Sequence, residues 1–495
     1  MATHLSTTGA VHLQPTFGSG LDDRRLIVVS NREPYRPRDE DGGAGWKRTT
    51  GGLVSALEPL VRSRRGTWIA WSPGAERQVR RSRVPGEGPS FQMLQVPLSP
   101  AEVERYYEGF ANGALWPLFH SFVDRCRFDP EQWHEYRRIN ERFADVLLGE
   151  TDDQSLVWIH DYHFCLLPRL VREGGCAAPV AFFCHIPFPA PEIFQLLPWR
   201  RSLLAGLLGS ELIGFHCGSY ARHFVDCCRQ LLGAQVSPDG ATVTWRGRRS
   251  RVIAAPIGID VEEFASLAVA PSVLARSRQI REQLASDKVI VGIDRLDYTK
   301  GIPARLEAID TLFENHPEHR GEVTFVQVAV GSRSRIPEYR ETKRSVDELV
   351  GRINGCYGTA EWQPIRYSNI GLEREELVAH YQVADVCLVT PLRDGMNLVA
   401  LEFCASRAQG DGVLVLSEFA GAAELLEGAA LTVNPYAVQE TAETLHQALT
   451  MPREEQERRM ASAGRQVAEN DVHRWLDTVL AEVPPPALVA QLEAG

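Results

Sequence analysis

From Arg25 onward, short runs that are apolar at nearly every position alternate with longer stretches whose apolar residues recur at helical spacing. The first set of runs is LIVVS (26–30), TWIAW (67–71), LVWIH (156–160), VAFFC (180–184) and ELIGF (211–215). A second set comes later as KVIVGI (288–293), VTFVQVAV (323–330), DVCLVT (385–390) and GVLVLS (412–417). A strand with one wet face reads as an alternation, whereas a strand apolar on both faces belongs in a parallel sheet covered by helices on each side. The pattern predicts an α/β chain of two successive doubly wound, Rossmann-like domains. The break falls near VIAAPIGID (252–260), after the polar, hairpin-like SPDGATVTWRGRRS, where Pro256 and Gly258 punctuate the chain. The expected division is a mobile tail (1–24), a first domain (25–258), a second (259–465) and a helical C-terminal segment (466–495) that crosses back. No internal repeat of solenoid length is present.

Composition narrows the function classes. A chain of 495 residues has room for two or three domains, each with its own core. With 44% apolar and 24% charged residues and no run of about 18 apolar positions, neither disorder nor a spanning helix is indicated. Fifty-three basic against 64 acidic residues give a net charge of -11. Nucleic acid and anionic membrane are therefore not expected as partners, and any phosphate site must be built residue by residue. The ten cysteines form no C-x-x-C pair and several sit in apolar runs such as AFFCH and ADVCLVT, as reduced core residues of a cytoplasmic protein do. The first 24 residues lack the basic start and apolar core of a signal peptide.

In doubly wound sheets, ligands bind beyond the carboxyl ends of the strands, so the residues there carry the candidate chemistry. Arg32 comes just after the first run, and Thr50-Gly51-Gly52 opens an amphipathic stretch with Leu53, Leu57 and Leu60 on one face. Such a helix start can receive an anion, although a Gly-Gly turn serves equally well as plain punctuation. The first strand leads into no G-x-G-x-x-G, which argues against a dehydrogenase. Asp161 and His185 end two later runs, where they can bind sugar hydroxyls or move protons. His160 and His163 flank Asp161, but the spacing offers no third ligand, and no metal is expected there. In the second half, Arg295 and Lys300 come after KVIVGI, in a chain with only four lysines. A compact point charge on a phosphate and a solvated loop both fit that Lys. VTPLRDGMNLVALEF then places Asp394 before a helix that starts near Leu398, with Glu402 one turn in. This arrangement can hold a pyrophosphate on the helix N-terminus and a ribose on the acid, the alternative being an exposed Glu paired with an Arg.

The motifs VSNR, TGGL, YYEGFANGALWPLFH, WIHDYH, HIPFP with PEIF, DRLDYTKGIP, GRINGCYG, TPLRDGMNLVALEF and LSEFAGAAEL occur in this order over nearly the whole chain. Together they resemble the trehalose-6-phosphate synthases of retaining glycosyltransferase family 20. The resemblance implies a GT-B fold, in which two Rossmann-like domains face each other across the active site. It also implies metal-independent transfer of glucose, with retention, from a nucleotide sugar to glucose 6-phosphate, with no cofactor and in a homodimer or homotetramer. By motif, Arg32, Tyr107, Trp116 and Arg333 fall where the family holds the acceptor phosphate. Gly52, Asp161 and His185 fall around the reacting sugars, Arg295 and Lys300 on the donor pyrophosphate, Asp394 on glucose hydroxyls and Glu402 on the ribose. Backbone groups at Met396, Asn397, Leu398 and Val399 complete the implied donor site. UDP-glucose is the implied donor and GDP-glucose its competitor, separated by the backbone around RYSNIGL (366–372). Two alternatives stand beside this: a relative with another phosphorylated acceptor such as glycerol 3-phosphate, and a catalytically silent sugar-phosphate sensor. The chain departs from the family pattern at Glu33, where the charge could weaken acceptor binding at Arg32, and at Leu401.

Overall fold

The computed structural model describes residues 24–37, 46–49, 52–74, 78–85, 89–284, 286–331, 333, 336–407 and 410–484. The expected N-terminal tail (except residue 24), Thr50, Gly51 and residues 485–495 lie outside the described residues. Strands form at all nine apolar runs, in two sheets. Seven parallel strands make the body of the first, in the spatial order Phe91–Leu98, Thr67–Pro73, Arg25–Arg32, Ser155–His160, Val180–Phe183, Leu212–Phe215 and Arg248–Ala254. Antiparallel strands close both edges: Arg80–Val84 on one side, Thr242–Trp245 and Gln235–Val236 on the other. The second sheet is wholly parallel, in the order Ile365–Ser368, Val323–Val330, Lys288–Arg295, Val386–Val389, Val413–Ser417 and Leu431–Val433.

Numbered along the chain, the parallel strands of the first sheet stand 3-2-1-4-5-6-7 and those of the second 3-2-1-4-5-6. Both sheets reverse their winding between strands one and four, and the crevice outside the strand ends at that reversal is the place for a ligand. In the first sheet the reversal lies between Arg32 and His160; in the second, between Arg295 and Val389.

Some strands lack an apolar signature. Phe91–Leu98 reads as interrupted by Gln92, Gln95 and Pro97, yet it is buried along its length. Gln95 is 2% exposed, and its amide nitrogen donates to Glu33 rather than to water. Arg248–Ala254 opens with four polar residues because its first half belongs to an edge hairpin and only its second half enters the parallel sheet.

Apolar cores cover both faces of each sheet, and the inner faces join through Ile257, Ile259 and Phe264. Helix Arg453–Glu469 belongs to the second domain, but helix Val472–Ala481 lies against the first sheet. Its Trp475 ring is 5.2 Å from both Trp158 and Phe183. The two crossing strands of chain touch: the Val472 N–H donates to the Ile259 carbonyl at 3.0 Å, and a Cβ on Gly258 would stand 2.2 Å from the Asn470 carbonyl. Eight of the ten cysteines are buried and all ten are free. Among the described residues, no helix is long and apolar enough to cross a membrane.

Candidate active site

The two winding reversals face each other, and a network of cations, aromatic rings and carboxylates fills the space between them. Arg333 stands at its centre. Its guanidinium donates to Asp297 at 3.3 Å, to the Tyr339 hydroxyl and, across the cleft, to the Tyr162 hydroxyl at 3.3 Å. It also lies 4.2 Å above the Trp116 ring, a cation–π contact. Asp297 is fully buried and spends both oxygens: one on Thr299, the other on Arg333 and Tyr339. Burial opposes its charge, but Arg333 and Arg295 outweigh that and hold the carboxyl below its ordinary range. On the first domain, Arg32 reaches Tyr107 at 3.2 Å. Burial works against ionising this phenol, yet Arg333 and Arg32 draw it down to about 8. Tyr107 and Trp116 come from one unusual element, a π-helical stretch over Val103–Leu115 that passes into helix Trp116–Phe119. Wide turns of this kind recur at functional sites.

Glu33 does not face this cluster. It comes just past the end of its strand, and its oxygens take Arg36 at 3.0 Å and Gln95.

Asp161 has φ 74° and ψ 167°, a region that is essentially glycine's own and that costs on the order of 1–3 kcal/mol for another residue. The carboxylate holds the turn by accepting from the N–H groups of Tyr162 (3.0 Å) and His185 (3.3 Å). Burial pushes its pKa up to about 6. Behind it His160, His185 and His216 form a row, with His160 Nδ1 3.0 Å from His185 Nε2. Burial drives His160 down to about 3, His216 and the nearby His120 to about 4, and His163 and His185 well below their ordinary value. All five are neutral at physiological pH, so the positive charge of the cleft comes from arginine and lysine alone.

The second set of cations is arranged more loosely. Arg295 is the exposed last residue of its strand, 5.8 Å from the Trp116 ring, with no carboxylate in ion-pair reach among the described residues. Lys300 is 8% exposed and pairs with Asp394, which also accepts from Asn397 (3.0 Å) and the Gly395 N–H (2.9 Å). Burial raises the Asp394 carboxyl, but Lys300 more than compensates and keeps it low. Behind Lys300, the buried Arg305–Asp294 pair (2.5 Å) fixes the loop, with Arg305 donating to the Lys300 carbonyl at 3.4 Å. Asn397, at φ 76°, turns the chain into helix Leu398–Arg407. Met396 is buried, while Leu398 and Val399 are half-buried at the helix start. Leu401, the second departure from the family pattern, is core.

Glu402 accepts from Tyr381 at 2.9 Å and is raised by burial. It lines a pocket of about 400 Å³ with Ser55, Glu263, Leu372, Arg374 and Leu398. Arg374 spans this pocket, reaching Glu263 at 2.9 Å and Ser55 of the first domain at 3.2 Å. Gly52 permits the approach of the helix start: a Cβ there would lie 2.2 Å from Leu398 Cδ1. Gly395 does the same opposite His185, whose carbonyl would be 2.2 Å from an added Cβ.

Of the residues named from the sequence, Arg32, Tyr107, Trp116, Arg295 and Arg333 share one cluster, Lys300, Asp394 and Asn397 share a second, Asp161 meets His185 at a strand end, and Gly52, Leu398 and Glu402 line the pocket. Sequence reasoning missed Asp297, Tyr162, Tyr339 and Arg305, which orient the cations, and Ser55, Glu263 and Arg374 around the pocket. Asp297 lies inside the motif DRLDYTKG and Tyr162 inside WIHDYH, and both could have been found there; the others come from elements whose contacts no local pattern records.

Comparison with known proteins agrees with this geometry. The Glycosyltransferase family 20 profile matches residues 24–484. The α,α-trehalose-phosphate synthase [UDP-forming] of Schizosaccharomyces pombe is 40% identical over 485 residues, covering 96% of this chain and 92% of its own. The Dictyostelium discoideum synthase A is 41% identical over 91% of this chain, which spans 61% of that longer protein. Among solved structures, one from E. coli bound with UDP-2-fluoro glucose superposes with a TM-score of 0.84 at 35% identity, covering 95% of this chain and 99% of that one. The Burkholderia xenovorans α,α-trehalose-phosphate synthase (UDP-forming) in complex with glucose-6-phosphate gives a TM-score of 0.85 at 34% identity, over 95% and 100% of the two chains. Two facing Rossmann-like sheets with this topology are the GT-B architecture, and the chain belongs to glycosyltransferase family 20.

Proposed function

We propose that the protein transfers glucose from UDP-glucose to glucose 6-phosphate with retention, forming α,α-trehalose 6-phosphate and UDP. The observation that carries this reading is the presence of two separate cation sets on one cleft, Arg32 with Arg333 and Arg295 with Lys300. A reaction between one phosphorylated sugar and one sugar diphosphate needs two such sets. The relatives' names and the glucose-6-phosphate complex of the Burkholderia protein support the choice of substrates.

In this reading the acceptor phosphate sits between Arg32 and Arg333, beside Tyr107 and Trp116. The donor diphosphate lies against Arg295, Lys300 and the free N–H groups at the start of helix Leu398–Arg407. The ribose meets Glu402 and the base enters the 400 Å³ pocket near Leu372. Asp394 and Asp161 bind sugar hydroxyls, and the neutral His185 holds the reacting sugar without adding charge. The bond from glucose C1 to the diphosphate oxygen breaks, and C1 bonds to the acceptor's anomeric oxygen on the same face. The acceptor's proton passes to the departing phosphate oxygen. Charge builds on the diphosphate, and fixed cations in a water-poor cleft stabilise it, so no metal is required.

Incubation with glucose 6-phosphate and UDP-, GDP- or ADP-glucose, and then mass and NMR analysis of the products, tests the reading. The expected outcome is an α,α-linked disaccharide phosphate, fastest from UDP-glucose and unchanged by EDTA. A β-linked product, or activity restored only by magnesium, overturns it. Glucose 6-phosphate binding without turnover from any donor points instead to a sensor.

A further inference from the structure

Away from the cleft, His316, Glu318 and His446 bring one ligand atom each to within 4.8 Å of one another. Two elements supply them. Helix Ile302–Asn315 runs out into the turn Pro317–His319, whose sequence HPEH presents His316, Glu318 and His319. Helix Val438–Thr450 packs beside it and presents Glu443 and His446.

The ligand atoms stand slightly farther apart than in a closed coordination shell. His316 Nδ1 lies 3.5 Å from Glu318 Oε1, and His446 Nδ1 lies 3.8 Å from the same oxygen and 3.0 Å from His319 Nε2. Ligands placed about 2.0–2.2 Å from a tetrahedral ion are separated by roughly 3.4 Å. The far side of His316 is also arranged: Nε2 faces both oxygens of Glu443 at 3.2 Å. With Nε2–H donating to that carboxylate, Nδ1 is left with its lone pair, the usual support of a metal-bound histidine. The His316 and His446 rings stack at 3.8 Å and 10°. Because stacked rings point their lone pairs side by side, closure on an ion requires the half-exposed His446 to rotate about χ2.

We propose that His316, Glu318 and His446, with His319 alongside, bind one divalent transition-metal ion of the Zn²⁺ type. Imidazole nitrogens with a single carboxylate select such ions over Mg²⁺ and Ca²⁺, which take oxygen shells. The ion plays no part in transfer. Helix Ile302–Asn315 has 14 residues, about 21 Å at about 1.5 Å each, and it separates this cluster from the Lys300 loop at its other end. The ion ties the end of that helix to helix Val438–Thr450 and so stiffens the second domain.

The test uses tag-free, full-length protein stripped with a chelator and titrated with Zn²⁺ by calorimetry in excess Mg²⁺. The expected result is one equivalent bound, with a rise in the thermal unfolding midpoint. His446→Ala and Glu318→Gln, checked for folding by circular dichroism, should each weaken binding at least tenfold and remove the rise. His134→Ala, at an exposed histidine of helix Pro130–Leu148, should change neither. Absence of saturable binding, or equal affinity in wild type, His446→Ala and Glu318→Gln, overturns the proposal.

Discussion

The two cation sets of the cleft differ in how they are held. Arg333 is locked by two tyrosines, a buried aspartate and an indole face, whereas Lys300 has one carboxylate partner and Arg295 has none among the described residues. Under the proposed reaction the first set meets a phosphate whose charge is the same before and after transfer, and the second meets a diphosphate whose charge grows as the bond breaks. A constant charge is served by a rigid, prepaired receptor. A growing charge is served by fixed cations that are not already spent on several partners, because only interactions that strengthen at the transition state raise the rate.

The largest expected effect breaks the rigid set. Asp297→Ala strands the buried Arg333 guanidinium without a counter-charge, and removal of one partner of a buried pair costs about 3–5 kcal/mol. Asp394→Ala also leaves a cation without its partner, but Lys300 and Asp394 are more open to water than Arg333 and Asp297, so it should cost less stability while still reducing activity. Urea unfolding of the two variants measures the contrast, and equal losses would show that the two sets are built alike.

Next comes a kinetic separation. Lys300→Ala should lower kcat by about 10²–10³-fold, as loss of a preorganised oxyanion donor does, both for transfer and for slow donor hydrolysis without acceptor. Arg32→Ala should instead raise the acceptor KM and leave that hydrolysis nearly intact. Equal effects on hydrolysis would remove the assignment of the two sets to different phosphates.

A pH contrast is smaller for each group. His120, His160, His163, His185 and His216 all have folded-state pKa values lowered by burial on the first-domain side. Between about pH 6.5 and pH 4 the unfolded chain binds protons that the folded chain refuses, so stability falls as the pH drops through that window. Each group contributes on the order of 1–3 kcal/mol to this loss. Unfolding midpoints measured from pH 7.5 to 4.5 should decline steeply, and His216→Gln should flatten the slope; a midpoint independent of pH contradicts the neutral row.

The legible and the hidden parts of the site divide along the same physical line. Strand ends are legible because apolar runs stop there, and Arg32, Asp161, Arg295 and Asp394 all stand within a few residues of the end of such a run. The helix start at Leu398 is legible from its Gly-Met-Asn turn. Asp161, Arg333 and Asn397 account for half of the six non-glycine residues with positive φ among the described residues, and no residue type announces that strain. The contacts of Tyr339 and Tyr162 with Arg333 are also hidden, because Arg333 lies six residues away in one case and 171 in the other, although Tyr162 itself stands in the motif WIHDYH. Even the π-helical stretch that carries Tyr107 has the apolar spacing of an ordinary helix.

The smallest predicted effect tests whether rigidity itself matters. The Tyr339 hydroxyl bridges the two charges of the acceptor network, accepting from Arg333 and donating to Asp297 at 3.0 Å. Tyr339→Phe removes that bridge while leaving the ion pair and the ring packing against Tyr298 in place. A hydrogen bond to a charged group is worth about 1.5–3 kcal/mol, and Asp297 keeps its other partners, so the lower end applies. If Tyr339 acts by holding the Arg333 fork at the right angle, its loss should appear mainly in the acceptor KM, by roughly tenfold for about 1.4 kcal/mol. Donor hydrolysis should not change, and Tyr339→His, which can still donate, should recover part of the affinity. A variant with normal acceptor KM but lowered stability would show that Tyr339 supports the fold alone, and that prepairing of Arg333 adds nothing to recognition.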